Sequence, residues 1–107
     1  MNNLEKIRLE LFSLRQEMGW EKFHNPKDLS LSIVLEASEL LEKFQWLSNV
    51  EISIKINDEI YLKEISDEIA DVMIYLIYLS DVLKIDLLQA VVEKHEINKA
   101  RFNKGHS

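Results

Sequence analysis

The sequence contains no cysteine, one proline (Pro26) and two glycines (Gly19 and Gly105) in 107 residues. Without cysteine there is no disulfide framework, no thiolate metal site and no cysteine nucleophile, and a reducing cytoplasm is compatible with the chain. Between residues 27 and 104 there is neither glycine nor proline. That stretch cannot easily supply the turns of an all-β sandwich or a glycine-rich phosphate loop. Positive charge is also short: 13 Lys and Arg against 19 Asp and Glu leave a formal net charge of −6. Non-specific nucleic-acid binding, which depends on Lys and Arg neutralising phosphates, is therefore disfavoured. The longest apolar run, residues 72–79, is eight residues, against roughly 20 for a bilayer span. Residues 1–10 alternate charge with Leu and Ile, so they are not expected to form a signal peptide. The expectation is one small, soluble, acidic domain over residues 1–107, cytoplasmic, with neither membrane nor nucleic acid as a partner. So short a chain buries only about 60–65% of its unfolded surface, and a partner subunit would help it.

What is present is helical periodicity. Leu4, Ile7, Leu11, Leu14 and Met18 recur at spacings of three and four, the stripe of an amphipathic helix, and Gly19 stops it. Residues 20–27 read as a loop, because Pro26 pushes Asn25 away from helical geometry. Asp28 is the expected N-cap of a second helix with the stripe Ile33, Ala37, Leu40 and Phe44. Asn57 is the expected cap of a third, with Asp58 and Glu59 where the helix dipole favours acids. Asp86 with Gln89 resembles a capping box for a fourth helix running to about Arg101, with Lys99, Arg101 and Lys104 at its C-terminal end.

Residues 50–56 are discordant. Val50, Ile52, Ile54 and Ile56 alternate with Glu51, Ser53 and Lys55, which is a strand period. With no second strand to pair with, they read as an extended connection packed on the bundle, and a strand pairing across a dimer is the alternative. In the third helix, Ile65, Ile69, Val72, Leu76, Leu79 and Leu83 form one apolar face and Met73, Ile74 and Ile77 a second. A helix apolar nearly all round is buried on several sides. The expectation is an all-α four-helix bundle whose third helix is covered partly by its own subunit and partly by another.

Beside those stripes stand acids that a core does not want. Glu36 and Glu39 are three apart on the second helix, as are Glu68 and Asp71 on the third. Residues three apart share a helix face, so antiparallel packing of the two helices can bring both pairs to one point. Carboxylates that close repel one another unless a cation neutralises them. A cluster of hard oxygen ligands favours Mg²⁺ or Mn²⁺ over zinc. The plainer reading, a solvated acidic stripe, has 30% charged residues in its favour. Tyr75 follows Asp71 by four residues and shares its face. Lys94 and Asn98 lie one turn apart on the fourth helix, with Arg101 a further turn on, a candidate phosphate contact by spacing alone. Trp20, His24 and Trp46 fall on or near connections, where aromatic rings are free to stack on a base. His95 and His106 are expected at the surface.

Glu36-x-x-Glu39, 28 intervening residues, then Glu68-x-x-Asp71 resembles the ExxE…ExxD signature of the all-α nucleoside triphosphate pyrophosphatases, the MazG-like superfamily. The words Trp20-x-x-Phe23-His24-x-Pro26-x-x-Leu29, Phe44-Gln45-Trp46 and Asp71-Val72-Met73-Ile74-Tyr75-Leu76 are similar to its dCTP pyrophosphatase branch. Ile85-Asp86-Leu87-x-x-Ala90-Val91-x-x-Lys94-x-x-x-Asn98 continues the likeness, which covers roughly residues 20–102. The resemblance implies hydrolysis of a deoxynucleoside triphosphate, dCTP first, to monophosphate and pyrophosphate with Mg²⁺, or Mn²⁺ in its place. It implies Glu36, Glu39, Glu68 and Asp71 as metal ligands, with Glu39 the first choice as base for the attacking water. Lys94 and Asn98 would hold phosphates, Tyr75 would line the nucleotide site, and Trp20, His24 and Trp46 would form a base pocket that a second subunit can complete. A homodimer or homotetramer is expected.

Two other classes compete. A ferritin-like dimetal bundle needs Glu-x-x-His on two helices. Only Glu21-x-x-His24 has that spacing, since His95 and His106 are preceded by Val92 and Asn103. A non-catalytic dimerisation or adaptor module with an exposed acidic face is the other, and it should not respond to Mg²⁺ with nucleotide.

Overall fold

Asn2 begins the described structure and caps the first helix, its Oδ1 accepting from the Glu5 N–H at 2.7 Å. A computed structural model describes residues 2–105, so His106 lies outside the described residues. Helix α1 (Asn3–Met18) ends at Gly19, whose φ of 68° is left-handed, a conformation glycine adopts without a Cβ penalty. A 3₁₀ turn (Trp20–Phe23) follows. Helix α2 (Pro26–Glu42) then starts earlier than its acids suggest. Asn25, not Asp28, is its N-cap, accepting from the Asp28 N–H at 2.9 Å. Proline lacks an N–H and its fixed φ suits the first helical position, so Pro26 opens the helix instead of prolonging the loop. Phe44, the last member of the apolar stripe, falls beyond the helix end and packs edge-on against Tyr61, ring centroids 6.3 Å apart.

Residues 50–56 do not form an extended connection. They lie mostly in a short helix, α3 (Asn49–Lys55), which makes five helices among the described residues, not four. The reason is local. Ser48 and Glu51 form a reciprocal capping box, each side chain accepting from the other's backbone N–H at 3.1 Å. The apolar alternation also pairs Val50 with Ile54 and Ile52 with Ile56 at helical spacing, so it does not oppose the helix.

Helix α4 (Glu59–Val82) is capped by Asp58, not Asn57, through an acceptor bond from the Ile60 N–H at 2.9 Å. It ends in a Schellman arrangement. The Ile85 N–H reaches the Ser80 carbonyl at 2.8 Å and the Lys84 N–H reaches Asp81 at 3.1 Å, with Lys84 at φ 59° in the left-handed position. Asp86 then caps α5 (Leu87–Gly105) by accepting from the Gln89 N–H at 3.0 Å. Only half the expected capping box forms, because the Gln89 amide donates forward to Glu93 at 3.1 Å.

Helices α2 and α4 pack antiparallel. At one end the Tyr61 hydroxyl donates to the Lys43 carbonyl and Lys43 pairs with Glu64 at 3.0 Å; at the other, His24 lies against Tyr78. Leu29, Tyr61, Ile65, Ile77 and Tyr78 are the buried apolar side chains among the described residues. Helix α1 closes on the C-terminal half of α4, while α5 packs only weakly on the rest. The radius of gyration is 17.2 Å, against about 13 Å for a compact chain of this length. The accessible surface is 8345 Å², against roughly 6200 Å² for a compact monomer of this mass. Val34, Leu35 and Ile69, on the two central helices, stay more than half exposed. No helix among the described residues is long and apolar enough to cross a membrane.

Candidate functional site

Glu36 and Glu39 stand one turn apart on α2, and Glu68 faces them from the antiparallel α4. One carboxylate oxygen from each lies within 4.8 Å of the other two. Glu36 and Glu68 are half-buried and Glu39 is exposed. Glu36 Oε2 and Glu68 Oε2 are buried without a hydrogen-bond partner among the described residues. Buried acceptors that lack a partner are uncommon and costly.

The electrostatics follow from that crowding. Glu36 is pushed from the ordinary 4.5 up to about 7, first by burial, then by the close approach of the Glu68 and Glu39 carboxyl groups, then by the charges of Glu39 and Asp71. Glu68 is raised for the same leading reason, burial, with Glu39 next. A site that makes its own carboxylates hard to ionise lacks positive charge, which a divalent cation would supply. The donors are all hard oxygens, which fits Mg²⁺ or Mn²⁺. Asp71, one turn beyond Glu68, is half-buried and stands outside the close trio, although its charge acts on both Glu36 and Glu68.

The other candidates are placed unevenly. Tyr75 is half-buried on α4, one turn past Asp71. Lys94 and Asn98 border a shallow, open depression on α5 together with Ala90, Val91 and His95. Lys94, Asn98 and Arg101 are exposed, and no ion pair joins them to the three glutamates among the described residues. His95 is exposed, as expected. Trp20 and His24 come together, ring centroids 6.5 Å apart, whereas Trp46 is 85% exposed and lies past the far end of α2. That helix is 17 residues long, so the separation is about 25 Å at 1.5 Å per residue. One subunit cannot bring all three rings to one base.

Three residues at the His24 end are not among the sequence-based candidates. Tyr78 packs against His24 at 4.4 Å between centroids, and Arg15 pairs with Asp81 at 2.7 Å. Tyr78 was detectable as the next residue on the Tyr75 face. Arg15 and Asp81 were not, being joined only by the packing of α1 on α4. Burial, and then the positive charge of Arg15, lower His24 from its ordinary 6.5. A further groove of about 510 Å³ lies between the start of α1 and the α4–α5 junction. It includes none of the three glutamates.

Known proteins resemble the chain over most of its length. A model of the MazG-like family matches residues 31–107. dCTP pyrophosphatase 1 of Mus musculus is 37% identical over 99 residues, covering 92% of this chain and 58% of that protein. The Homo sapiens protein of the same name is 36% identical over the same shares. The chain thus spans 58% of the length of these curated relatives. The crystal structure of a pyrophosphatase from Archaeoglobus fulgidus superposes with a TM-score of 0.88 at 39% identity, covering 95% of this chain and 94% of that one.

Proposed function

The chain belongs to the MazG-like family, and we propose that it acts in the cytoplasm as a single-domain nucleoside triphosphate pyrophosphohydrolase. Its substrate is a deoxynucleoside triphosphate, dCTP or a related modified nucleotide, cleaved to monophosphate and pyrophosphate. The observation that carries this reading is the meeting of Glu36, Glu39 and Glu68 across α2 and α4, with two of their oxygens buried and unpartnered. The substrate class is drawn from the names of the relatives, dCTP pyrophosphatase 1.

Glu36, Glu39 and Glu68, with Asp71 beside them, are the residues to hold Mg²⁺ or Mn²⁺. When bound, the metal offsets the charge of the triphosphate and polarises the α-phosphoryl group. Glu39 is the exposed member of the trio, open to solvent, and it accepts the proton of the attacking water. The water oxygen bonds to the α-phosphorus, the anhydride bond between the α and β phosphates breaks, and pyrophosphate leaves with the bonding pair. Lys94, Asn98 and Arg101 hold phosphates, and Tyr75 lines the site between phosphate and base.

The active form is a homodimer or homotetramer. The chain exposes about 2000 Å² more than a compact monomer of its mass would, and large apolar side chains stay exposed on every helix, Val34, Leu35 and Ile69 of α2 and α4 among them. Excess of that order suits an obligate interface. It also suits a base pocket built from Trp20 and His24 of one subunit and a tryptophan of its partner.

The test is incubation with each deoxynucleoside triphosphate and Mg²⁺, following monophosphate and pyrophosphate. Release of both from dCTP or a modified cytosine nucleotide supports the proposal. No turnover of any triphosphate, canonical or modified, removes the enzymatic reading.

A further inference from the structure

The end of the α2–α4 pair away from Trp46 carries a polar network that the carboxylate chemistry does not use. Arg15 on α1 reaches Asp81 on α4 at 2.7 Å, with both side chains largely shielded from solvent. The same guanidinium lies over the ring of Phe12, 4.7 Å from its centroid, and 5.7 Å from that of Tyr78. Tyr78 is buried, donates its hydroxyl to the Leu11 carbonyl at 3.0 Å, and presents its ring to the His24 imidazole at 4.4 Å. His24 Nδ1 is buried and has no partner among the described residues.

Those contacts leave little freedom. A planar guanidinium can pair with a carboxylate and stack on a ring at once, which an ammonium cannot. Asp81 therefore sets the plane of Arg15, and the cation rests on both Phe12 and Tyr78. The imidazole is left with an unused buried nitrogen, which in a native structure calls for a ligand or an ordered water. On α4, Tyr78 stands two turns past Asp71, about 10 Å by helix rise, with Tyr75 between them. A nucleotide with its phosphates at the glutamates and its base directed along α4 reaches His24. Burial and the Arg15 charge lower that imidazole from its ordinary 6.5, which favours the neutral ring, and its Nδ1 can donate or accept one bond according to tautomer.

Resting on the nucleotide-hydrolysing reading above, we propose that Arg15 is a positioning residue for the base end of the site: braced by Asp81, it pins Tyr78, and Tyr78 pins the His24 ring toward the base. Arg15 itself does not touch the nucleotide. The Arg15–Asp81 pair and Tyr78 therefore govern how well the base is held, and not the rate of the chemical step.

The test compares the full chain with the double variant Arg15→Met, Asp81→Asn, which removes the cation without leaving a carboxylate buried and unpaired. Arg15→Lys is the conservative control. With dCTP and Mg²⁺, the double variant should raise KM at least fivefold with kcat within twofold, and Arg15→Lys should fall between it and the parent. Imidazole ¹⁵N–¹H spectra should show the His24 signals displaced in the double variant, with helical circular dichroism retained. Loss of folded protein alone would lower apparent kcat instead of raising KM. An active parent whose double variant keeps its KM overturns the role of Arg15. Unmoved His24 signals overturn it as well, whatever the activity. If the double variant does not fold, a KM for Arg15→Lys equal to the parent's overturns it, and a raised KM supports it. A parent that hydrolyses no triphosphate overturns the functional reading instead, and that failure is recognisable because the unmodified chain shows it.

Discussion

Glu36 on α2 and Glu68 on α4 meet across the helix pair, each with one carboxylate oxygen buried and without a partner among the described residues. Two acids placed this way hold their protons more tightly than acids in water. This has a direct consequence for stability. Glu36 moves from 4.5 to about 7 on folding, so between those values the folded chain binds more protons than the unfolded one. Stability of the metal-free protein therefore falls as pH rises through that window. In EDTA, Tm should drop from pH 5 to pH 7.5, and Glu36→Gln should flatten the drop. Mg²⁺ should restore the loss at pH 7.5, with protons released on binding. A metal-free Tm that climbs steadily over this range would contradict the burial of Glu36.

Replacement of the exposed carboxylate tests the chemical step. Glu39→Gln should lower kcat about 100-fold or more, the usual scale for removing a general base, with helical circular dichroism unchanged. Asp71→Asn should abolish turnover while leaving the fold intact. Full activity in either variant would remove that residue from the site.

The separation of Trp46 from His24 along α2 makes a prediction about assembly. Stacking on a base is worth about 1–3 kcal/mol, so Trp46→Ala should raise KM for dCTP by roughly 5- to 150-fold. Mixed and reassembled with Glu39→Gln chains, it should recover a fraction of sites with the parental KM. A hybrid contains one site with an intact Glu39 from one chain and an intact tryptophan from the other. Recovery that stays at the sum of the two variants would mean that Trp46 serves only its own subunit.

Lys84 closes α4 in a left-handed conformation, φ 59°, which costs a non-glycine residue about 1–2 kcal/mol. Lys84→Gly should raise stability by about 1 kcal/mol, read as an increase in Tm with unchanged kcat. A lowered Tm would show that the lysine side chain contributes more than the backbone strain costs.

The legible part of the fold was local. Gly19 stops α1 as its place in the sequence suggests, and Asp86 caps α5. The caps differ from the expected ones: α2 starts at Asn25, three residues before Asp28, because Pro26 suits the first helical position, and α4 starts at Asp58, one residue after Asn57. Residues 50–56 misled because alternation of apolar residues over seven positions contains helical pairs as well as strand pairs. The Ser48–Glu51 box then decides between them.

The sequence by itself determined that the protein is helical and that Glu36 with Glu39, and Glu68 with Asp71, project from common faces, since both depend only on the helical repeat. Tertiary structure decided which of those acids meet. Antiparallel packing of α2 on α4 brings Glu68 into the trio and sets Asp71 beside it. The 3₁₀ turn keeps Trp20 beside His24 and the length of α2 holds Trp46 at the other end, whereas Arg15 meets Asp81 only through the seating of α1 on α4. Spacing along one helix is set by the backbone hydrogen-bond repeat, whereas contacts between helices depend on which apolar faces bury each other, and that is decided only when Leu29, Ile65, Ile77 and Tyr78 come together.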